Sequence, residues 1–428
     1  MATFESDASV STGLRDYIHN AWVEIVLSGL GFVSGILVAR WLGPAGRGQL
    51  GAAMLWPGVI GIVISLGLQH AFTYAVGVGW ASPERLQRLA FRFTMLVGFP
   101  AMVVYWFVCP WILGKQFPDQ RWVPGIFSLY IPLTVYAGLL LAIYQGSGDF
   151  IRWNIGRLFR SSTWTLWVIV LTAVASLTVL NLLLVQISIL AVLGIYLFSR
   201  LGYLKGANKG DGTAPIRLVF KYGFAVYISA IAFSVTQQLD QLLLSIWVTS
   251  SELGQYMIAA TLAGMIFLIP GAVGPIVFSK IARASDDPTE QRRHMRLAIH
   301  LIVKLLVPAG LGLMILAPMA TQILYGSAYD KAGEVLRVLA PAAIFLGAGI
   351  ILSDVLKGAG KPMYATCGAL VGAVITIGGL VWALPRFGIW GAAWVSFIAY
   401  GALMLIQAFL IWRWISNPRP STRILANA

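Results

Sequence analysis

Apolar runs of about 20 residues, each long enough to cross a bilayer core as one helix, recur along nearly the whole of this chain. Short segments carrying most of its charge separate them. Two such runs meet within Gly35 to Ala53, GILVARWLGPAGRGQLGAA, where only a tight turn fits. Gly43, Pro44, Gly46 and Gly48 supply left-handed or fixed backbone angles, and Arg40, Trp41 and Arg47 suit a membrane-water interface. The stretch therefore reads as a hairpin between two spanning helices. With 58% hydrophobic and only 11% charged residues in 428, the apolar content exceeds what a soluble core could hide, so the solvent is lipid. A net charge of +14 would suggest a nucleic-acid partner in a soluble protein. Here the basic residues lie between apolar runs, as membrane topology demands, and nucleic acid is not expected as a partner.

The pattern predicts an all-α polytopic membrane protein with helices near 17–41, 50–77, 91–113, 123–145, 157–180, 182–200, 218–248, 254–279, 297–324, 335–356, 362–384 and 388–415, about twelve in all. Asn181 alone marks the turn within 157–200. If the N-terminus is cytoplasmic, inner segments hold 22 Lys and Arg against 7 in the outer turns, with Lys304 alone inside a span, and this bias puts both termini in the cytoplasm. The N-terminal stretch lacks the basic region and cleavage site of a signal peptide, so the first helix is the expected insertion signal. The expected division is a cytoplasmic tail 1–16, a six-helix lobe 17–200, a polar linker 201–216, a second six-helix lobe 217–415 and a tail 416–428.

Two echoes imply that the lobes are repeats. Gly254-Gln255 with Ala259-Ala260 repeats Gly48-Gln49 with Ala52-Ala53 at an offset near 206, and Lys357-Gly358-Ala359-Gly360 repeats Gln145-Gly146-Ser147-Gly148 at 212. An even number of spans per half gives both halves one orientation, related by an axis along the membrane normal, with the substrate path expected between them.

Catalytic chemistry is not expected. The outer loops are too short for an extramembrane domain, and the glycine-rich turns lack the GxxxxGK[ST] spacing of a phosphate-cradling loop. His19, His70, His294 and His300 are scattered, with no metal-binding pair, and Cys109 and Cys367 both fall in apolar runs as small hydrophobes.

Polar residues inside apolar runs mark helices that face a cavity or a partner. Asn20, Glu24, Ser28, Gly31 and Gly35 form one face of the first helix, and its counterpart, the seventh, carries Ser234, Gln237, Gln238, Asp240, Gln241 and Ser245. The Ser and Gly positions read as close helix packing of the GxxxG kind, whereas the carboxylates of Glu24 and Asp240 read as cavity groups. His300 and Lys304 stand one turn apart in the ninth helix, and Asp354 near the inner end of the tenth.

Leu37-Val38-Ala39-Arg40-Trp41-Leu42-Gly43-Pro44 with Gly48, Ser65-Leu66-Gly67-Leu68, Asp240 with Leu253-Gly254-Gln255-Tyr256, Pro270, and Phe387-Gly388-Ile389-Trp390-Gly391-Ala392-Ala393 occur in an order and spacing that resembles the polysaccharide or O-antigen flippases of the multidrug/oligosaccharidyl-lipid/polysaccharide superfamily. The resemblance runs from about residue 17 to 415. It implies two six-helix pseudo-symmetric lobes around a central cavity that move a polyprenyl-pyrophosphate-linked oligosaccharide outward across a bacterial cytoplasmic membrane by alternating access. Such a chain needs no cofactor beyond a coupling H+ or Na+; its partners are the lipid-linked oligosaccharide, membrane lipids and, as an open alternative, polysaccharide assembly proteins. The resemblance carries over Asp240 and, after it, Arg40. With the residue reading, the candidate substrate and coupling positions are Glu24, Arg40, Gln237, Asp240, Gln241, His300 and Lys304, and Arg157, Arg160 and Lys304 are candidates for the pyrophosphate. A drug/cation antiporter of the same superfamily and a membrane-embedded polymerase or glycosyltransferase are the alternatives.

Overall fold

Every apolar run becomes a helix, because a chain in lipid must satisfy its backbone groups internally. The computed structural model describes residues 2–200, 215–284 and 287–416; the expected linker, up to residue 214, and the tail beyond Ser416 lie outside the described residues. The helices are α1 (Ala2–Ile64), α2 (Leu68–Gly77), α3 (Pro83–Phe93), α4 (Phe99–Ile112), α5 (Val123–Ile126), α6 (Tyr130–Gly146), α7 (Phe150–Ala173), α8 (Val179–Arg200), α9 (Ile216–Trp247), α10 (Ser250–Gly264), α11 (Leu268–Arg283), α12 (Pro288–Leu301), α13 (Val307–Tyr325), α14 (Asp330–Gly358) and α15 (Pro362–Ser416). Among the described residues, eight helical stretches are long and apolar enough to cross a membrane. Large apolar side chains stand outward along them, among them Leu96, Trp111, Ile315 and Val374. Such a surface is stable only against lipid, and the chain is a multi-pass membrane protein.

The turn in Gly35 to Ala53 is tighter than the composition suggests. Only Gly43 leaves helical geometry, at φ 65° and ψ −179°, and Pro44 begins the next helix at once. Gly46 and Gly48 are helical and serve a different purpose: a Cβ on Gly48 would fall 1.8 Å from the Ser250 carbonyl oxygen, and one on Gly254 1.9 Å from that of Pro44. The first echo of the sequence is thus a backbone crossing at two glycines.

The expected helix 50–77 is broken at Ser65-Leu66-Gly67, where Leu66 and Gly67 take φ 49° and 70°. The carbonyls freed by the break find new donors: Ser65 Oγ donates to Ile62 at 2.8 Å and Tyr227 Oη to Val63 at 2.7 Å. The turn within 157–200 lies at 174–178, earlier than Asn181, with Ala175 at φ 54°; the Asn181 amide braces it by donating to the Ser176 carbonyl at 2.7 Å. The third and ninth helices begin earlier than the apolar runs, at Ser82-capped Pro83 and Asp287-capped Pro288, because their first turns are charged and amphipathic.

The repeat is deeper than two echoes. Among the described residues each half contains one π-helical segment, Thr94–Gly98 and Ile302–Leu306, and each precedes a Pro, Pro100 and Pro308, at an offset of 208. A Pro inside a helix lacks an N–H and crowds the carbonyl four residues back, and one extra residue in the turn relieves that clash. The offset of 212 is written in hydrogen bonds. Ser147, Gly148 and Asp149 donate to Ile143, Gln145 and Tyr144 just as Ala359, Gly360 and Lys361 donate to Val355, Lys357 and Leu356. Gly148 and Gly360 both sit at positive φ, 76° and 72°, the left-handed glycine that ends a helix.

The chain divides into two compact units, residues 1–234 with 245–254, and 235–244 with 255–428. The first is built about α6, where Tyr105, Cys109 and Ile131 form a buried cluster, and the second about α14, whose Ile351, Leu352, Val355 and Leu356 join Val277, Ile281 and Met295.

Candidate functional site

In the first unit, the small residues of α1 open a cavity of about 460 Å³ lined by Gly31, Ser34, Gly35, Leu50 and Met54, and walled on the other side by Arg157, Arg160, Trp164 and Gln186. A Cβ on Gly31 or Gly35 would meet nothing within 4 Å. These glycines therefore hold space open and do not pack helices closely, which corrects the GxxxG reading. Arg47 also lines the cavity, so it is more than an interface anchor. A second space of about 320 Å³ shares Arg157, Arg160 and Leu141, and adds Gln69, His70 and Gln145.

The arginines are individually positioned. Arg160 donates through Nη2 to Tyr130 Oη at 2.9 Å. Arg157 lies with Cζ 4.5 Å from the centroid of the Trp153 ring, and its Nη2 donates to Glu24 Oε1 at 2.5 Å. Its Nη1 is buried without a hydrogen-bond partner among the described residues. The cavity wall thus carries the guanidinium groups of Arg157 and Arg160 and no Asp or Glu among its lining residues, with Glu24 pairing to Arg157; guanidinium groups at a cavity wall suit an anion.

The second unit has a cavity at the equivalent place. Gln237, Asp240, Gln241, Tyr256 and Ala260 line it; they follow Gly31, Ser34, Gly35, Leu50 and Met54 by 206 residues each. Larger side chains reduce its volume to about 70 Å³. Asp240 is buried; its Oδ2 accepts from Tyr256 Oη at 2.5 Å and its Oδ1 from the Gln241 N–H at 2.7 Å. Tyr400 completes the wall. One inherited cavity has become roomy and cationic in the first unit, small and carboxylate-centred in the second.

The candidate residues fall into groups. Gln237, Asp240 and Gln241 are brought together in the second-unit cavity, and Glu24 reaches the arginine wall of the first through Arg157. Arg40 is exposed and is not a lining residue of either cavity. His300 and Lys304 are exposed; the His300 ring bonds the Arg296 carbonyl through Nδ1 at 2.7 Å, and Lys304 sits in the π segment. Asp354 accepts from Lys357 Nζ at 3.3 Å and fills the space beside Gly274. Tyr400 and Gln186 carry no signal in the sequence, whereas Tyr256 stands in the motif that accompanies Asp240 and follows Leu50 by the same offset of 206.

The profile of the polysaccharide biosynthesis protein family matches residues 37–334. This chain belongs to that family. Among curated relatives it is 22% identical over 404 residues to the probable low-salt glycan biosynthesis flippase Agl15 of Haloferax volcanii, covering 91% of this chain and 81% of the relative. It is 26% identical over 411 residues to the succinoglycan biosynthesis transport protein ExoT of Rhizobium meliloti, covering 91% and 74%. Its fold is similar to that of the lipid II flippase MurJ in an inward closed conformation, with a TM-score of 0.74 at 14% identity over 92% of this chain and 87% of that one. An inward-facing multidrug resistance transporter of the MATE family in the MOP superfamily matches at 0.73 and 14%, covering 91% and 94%.

Proposed function

We propose that this protein moves a polyprenyl-pyrophosphate-linked oligosaccharide or polysaccharide repeat unit from the cytoplasmic to the outer leaflet by ion-coupled alternating access. The observation that carries the reading is the arginine-walled cavity in the first unit of a lipid-embedded chain. A lipid-linked sugar is a hydrated anionic head on a tail that prefers lipid; donors within a cavity replace the water its phosphates give up, while the tail stays in the bilayer. A volume of about 460 Å³ lies in the range of small-ligand sites. Both curated relatives are named for glycan biosynthesis, one as a flippase and one as a transport protein. Asp240 is the proposed seat of the coupling H+ or Na+, since a buried carboxylate with two neutral donors changes its interactions when it gains a cation.

The remaining parts of the reading are twelve spans, both termini cytoplasmic, a bacterial inner-membrane location, contacts with polysaccharide assembly proteins and transport without catalysis. The two helices with non-helical glycines, α1 and α15, are each long enough for two spans. The test uses proteoliposomes holding a fluorescent lipid-linked oligosaccharide and a head-group quencher outside. Arg157→Gln with Arg160→Gln should slow flipping at least about tenfold, the cost of losing charge-assisted hydrogen bonds. Full activity in the double variant, or gradient-driven movement of small organic cations in place of the lipid, overturns the proposal, the latter in favour of an antiporter.

A further inference from the structure

We propose that Glu24 and the phosphate of the substrate compete for one guanidinium, that of Arg157, so that substrate binding releases α1 from α7. The inference rests on reading the first-unit cavity as a phosphate site. Glu24 is the acidic partner of Arg157: its Oε1 accepts from Arg157 Nη2 at 2.5 Å, across 133 residues of chain. The rest of Arg157 is held in place, its Cζ 4.5 Å from the Trp153 ring centroid, and its buried Nη1 makes no hydrogen bond among the described residues.

A phosphate in the cavity competes with Glu24 for Nη2; the buried Nη1 becomes the second donor of a bidentate pair, which a planar guanidinium favours, once the guanidinium turns toward the ligand. Glu24 is the weaker competitor. Its side chain is 59% exposed and that of Arg157 23%, and ion pairs so open to solvent are weak. A phosphate can also engage Arg160, which lines the same cavity. Losing the pair removes one tie between α1 and α7, where Thr165 Oγ1 also donates to the Leu30 carbonyl at 3.3 Å. The freed segment of α1 runs into Gly29, Gly31 and Gly35, where an added Cβ would meet nothing within 4 Å, so that face has room for it to bend into.

The experiment is titration calorimetry of the full chain in detergent with farnesyl pyrophosphate, with inorganic pyrophosphate in a second arm. Glu24→Gln should bind about two- to fivefold more tightly than the parent, since it removes the competing carboxylate. Glu24→Asp, too short for the contact, should also bind more tightly and serves if the Gln variant folds poorly. Arg157→Gln should bind at least about tenfold more weakly. Inorganic pyrophosphate giving the same order of variants supports phosphate as the recognised group. Unchanged or weaker binding by both Glu24 variants overturns the competition. Unchanged binding by Arg157→Gln overturns instead the phosphate reading on which it rests.

Discussion

Replacing Gly48 with Ala adds a single methyl group and should be among the most damaging small changes in this protein. The new Cβ would lie 1.8 Å from the Ser250 carbonyl oxygen, 2.8 Å from its carbon and 2.9 Å from the Gly254 nitrogen. All three are backbone atoms, so no side chain can rotate away. Restoring an ordinary contact requires the first turn of α10 to retreat by more than 1 Å, and that turn is fastened. Gln116 Nε2 donates to the carbonyls of Ser245 and Val248, both at 2.8 Å; Ser250 Oγ donates back to the Gln116 carbonyl at 3.2 Å; and Trp56 Nε1 donates to Ser245 Oγ at 2.9 Å. Losing two to four of these bonds at about 1 kcal/mol each gives a loss of about 2–4 kcal/mol. Two other glycines calibrate the result. Gly43→Ala meets no atom within 4 Å but must hold φ 65°, at about 1–2 kcal/mol. Gly35→Ala is helical with open space beside it and should be neutral or gain up to about 1 kcal/mol. Thermal unfolding of the three purified variants in one detergent should rank them Gly35, Gly43, Gly48 from mildest to worst. A Gly48 variant as stable as the Gly35 variant would show that the crossing does not need its glycine and would refute the reasoning.

Ala175→Gly should raise thermal stability by about 1 kcal/mol, because Ala175 holds φ 54° without the freedom of glycine; a neutral or lower melting temperature counts against strain there. Asp240→Asn keeps the shape of a buried side chain bonded to Tyr256 and Gln241 but removes its charge. It should reach the membrane at normal levels, lose its response to an imposed ion gradient and fail to export lipid-linked sugar against the sugar's own gradient, whereas unchanged gradient-dependent transport would return Asp240 to a structural role. Cysteines at the exposed Ser251 and Ser327 should react with an impermeant reagent from outside the cell; labelling only after the membrane is opened contradicts cytoplasmic termini.

Hydropathy located the helices because lipid imposes that pattern directly, and the repeat was legible wherever glycine is required, at Gly148 and Gly360 for backbone angle and at Gly48 and Gly254 for space. What escaped depends on partners distant in sequence. Ser65-Leu66-Gly67 stands out in sequence as a motif but not as a helix break, since the donor that makes the break tolerable, Tyr227, lies more than 150 residues away. The prolines that carry the repeat through its third helix, Pro100 with Pro110 and Pro308 with Pro318, share the offset of 208, yet their significance emerges only beside the π segments. Arginines were harder still. Arg157 and Arg160 look like topology anchors when counted along the chain, and only the packing of α7 on the glycine face of α1 turns them into a cavity wall.

Under the proposed function, the equivalence of the two cavities would let one repeat serve two ligands of opposite sign. Where the first unit has Gly31, Ser34 and Gly35, the second has Gln237, Asp240 and Gln241. Replacing small residues by long polar ones fills the same space with hydrogen-bonding groups, and the volume falls from about 460 to about 70 Å³. An anion the size of a pyrophosphate needs the larger space with arginine at its wall; a proton or bare cation needs only the smaller one, with a carboxylate already held by donors that can turn away. Duplication supplies two cavities of the same construction, and a few substitutions at corresponding helix positions suffice to set their volume and charge. A chain in which the change from Ser34 to Asp240 was reversed by Asp240→Ser should therefore lose its response to the ion gradient while keeping its affinity for a polyprenyl pyrophosphate. Flipping driven by the substrate gradient alone would then persist in proteoliposomes; loss of substrate affinity in that variant would mean that the two cavities are not separable in function.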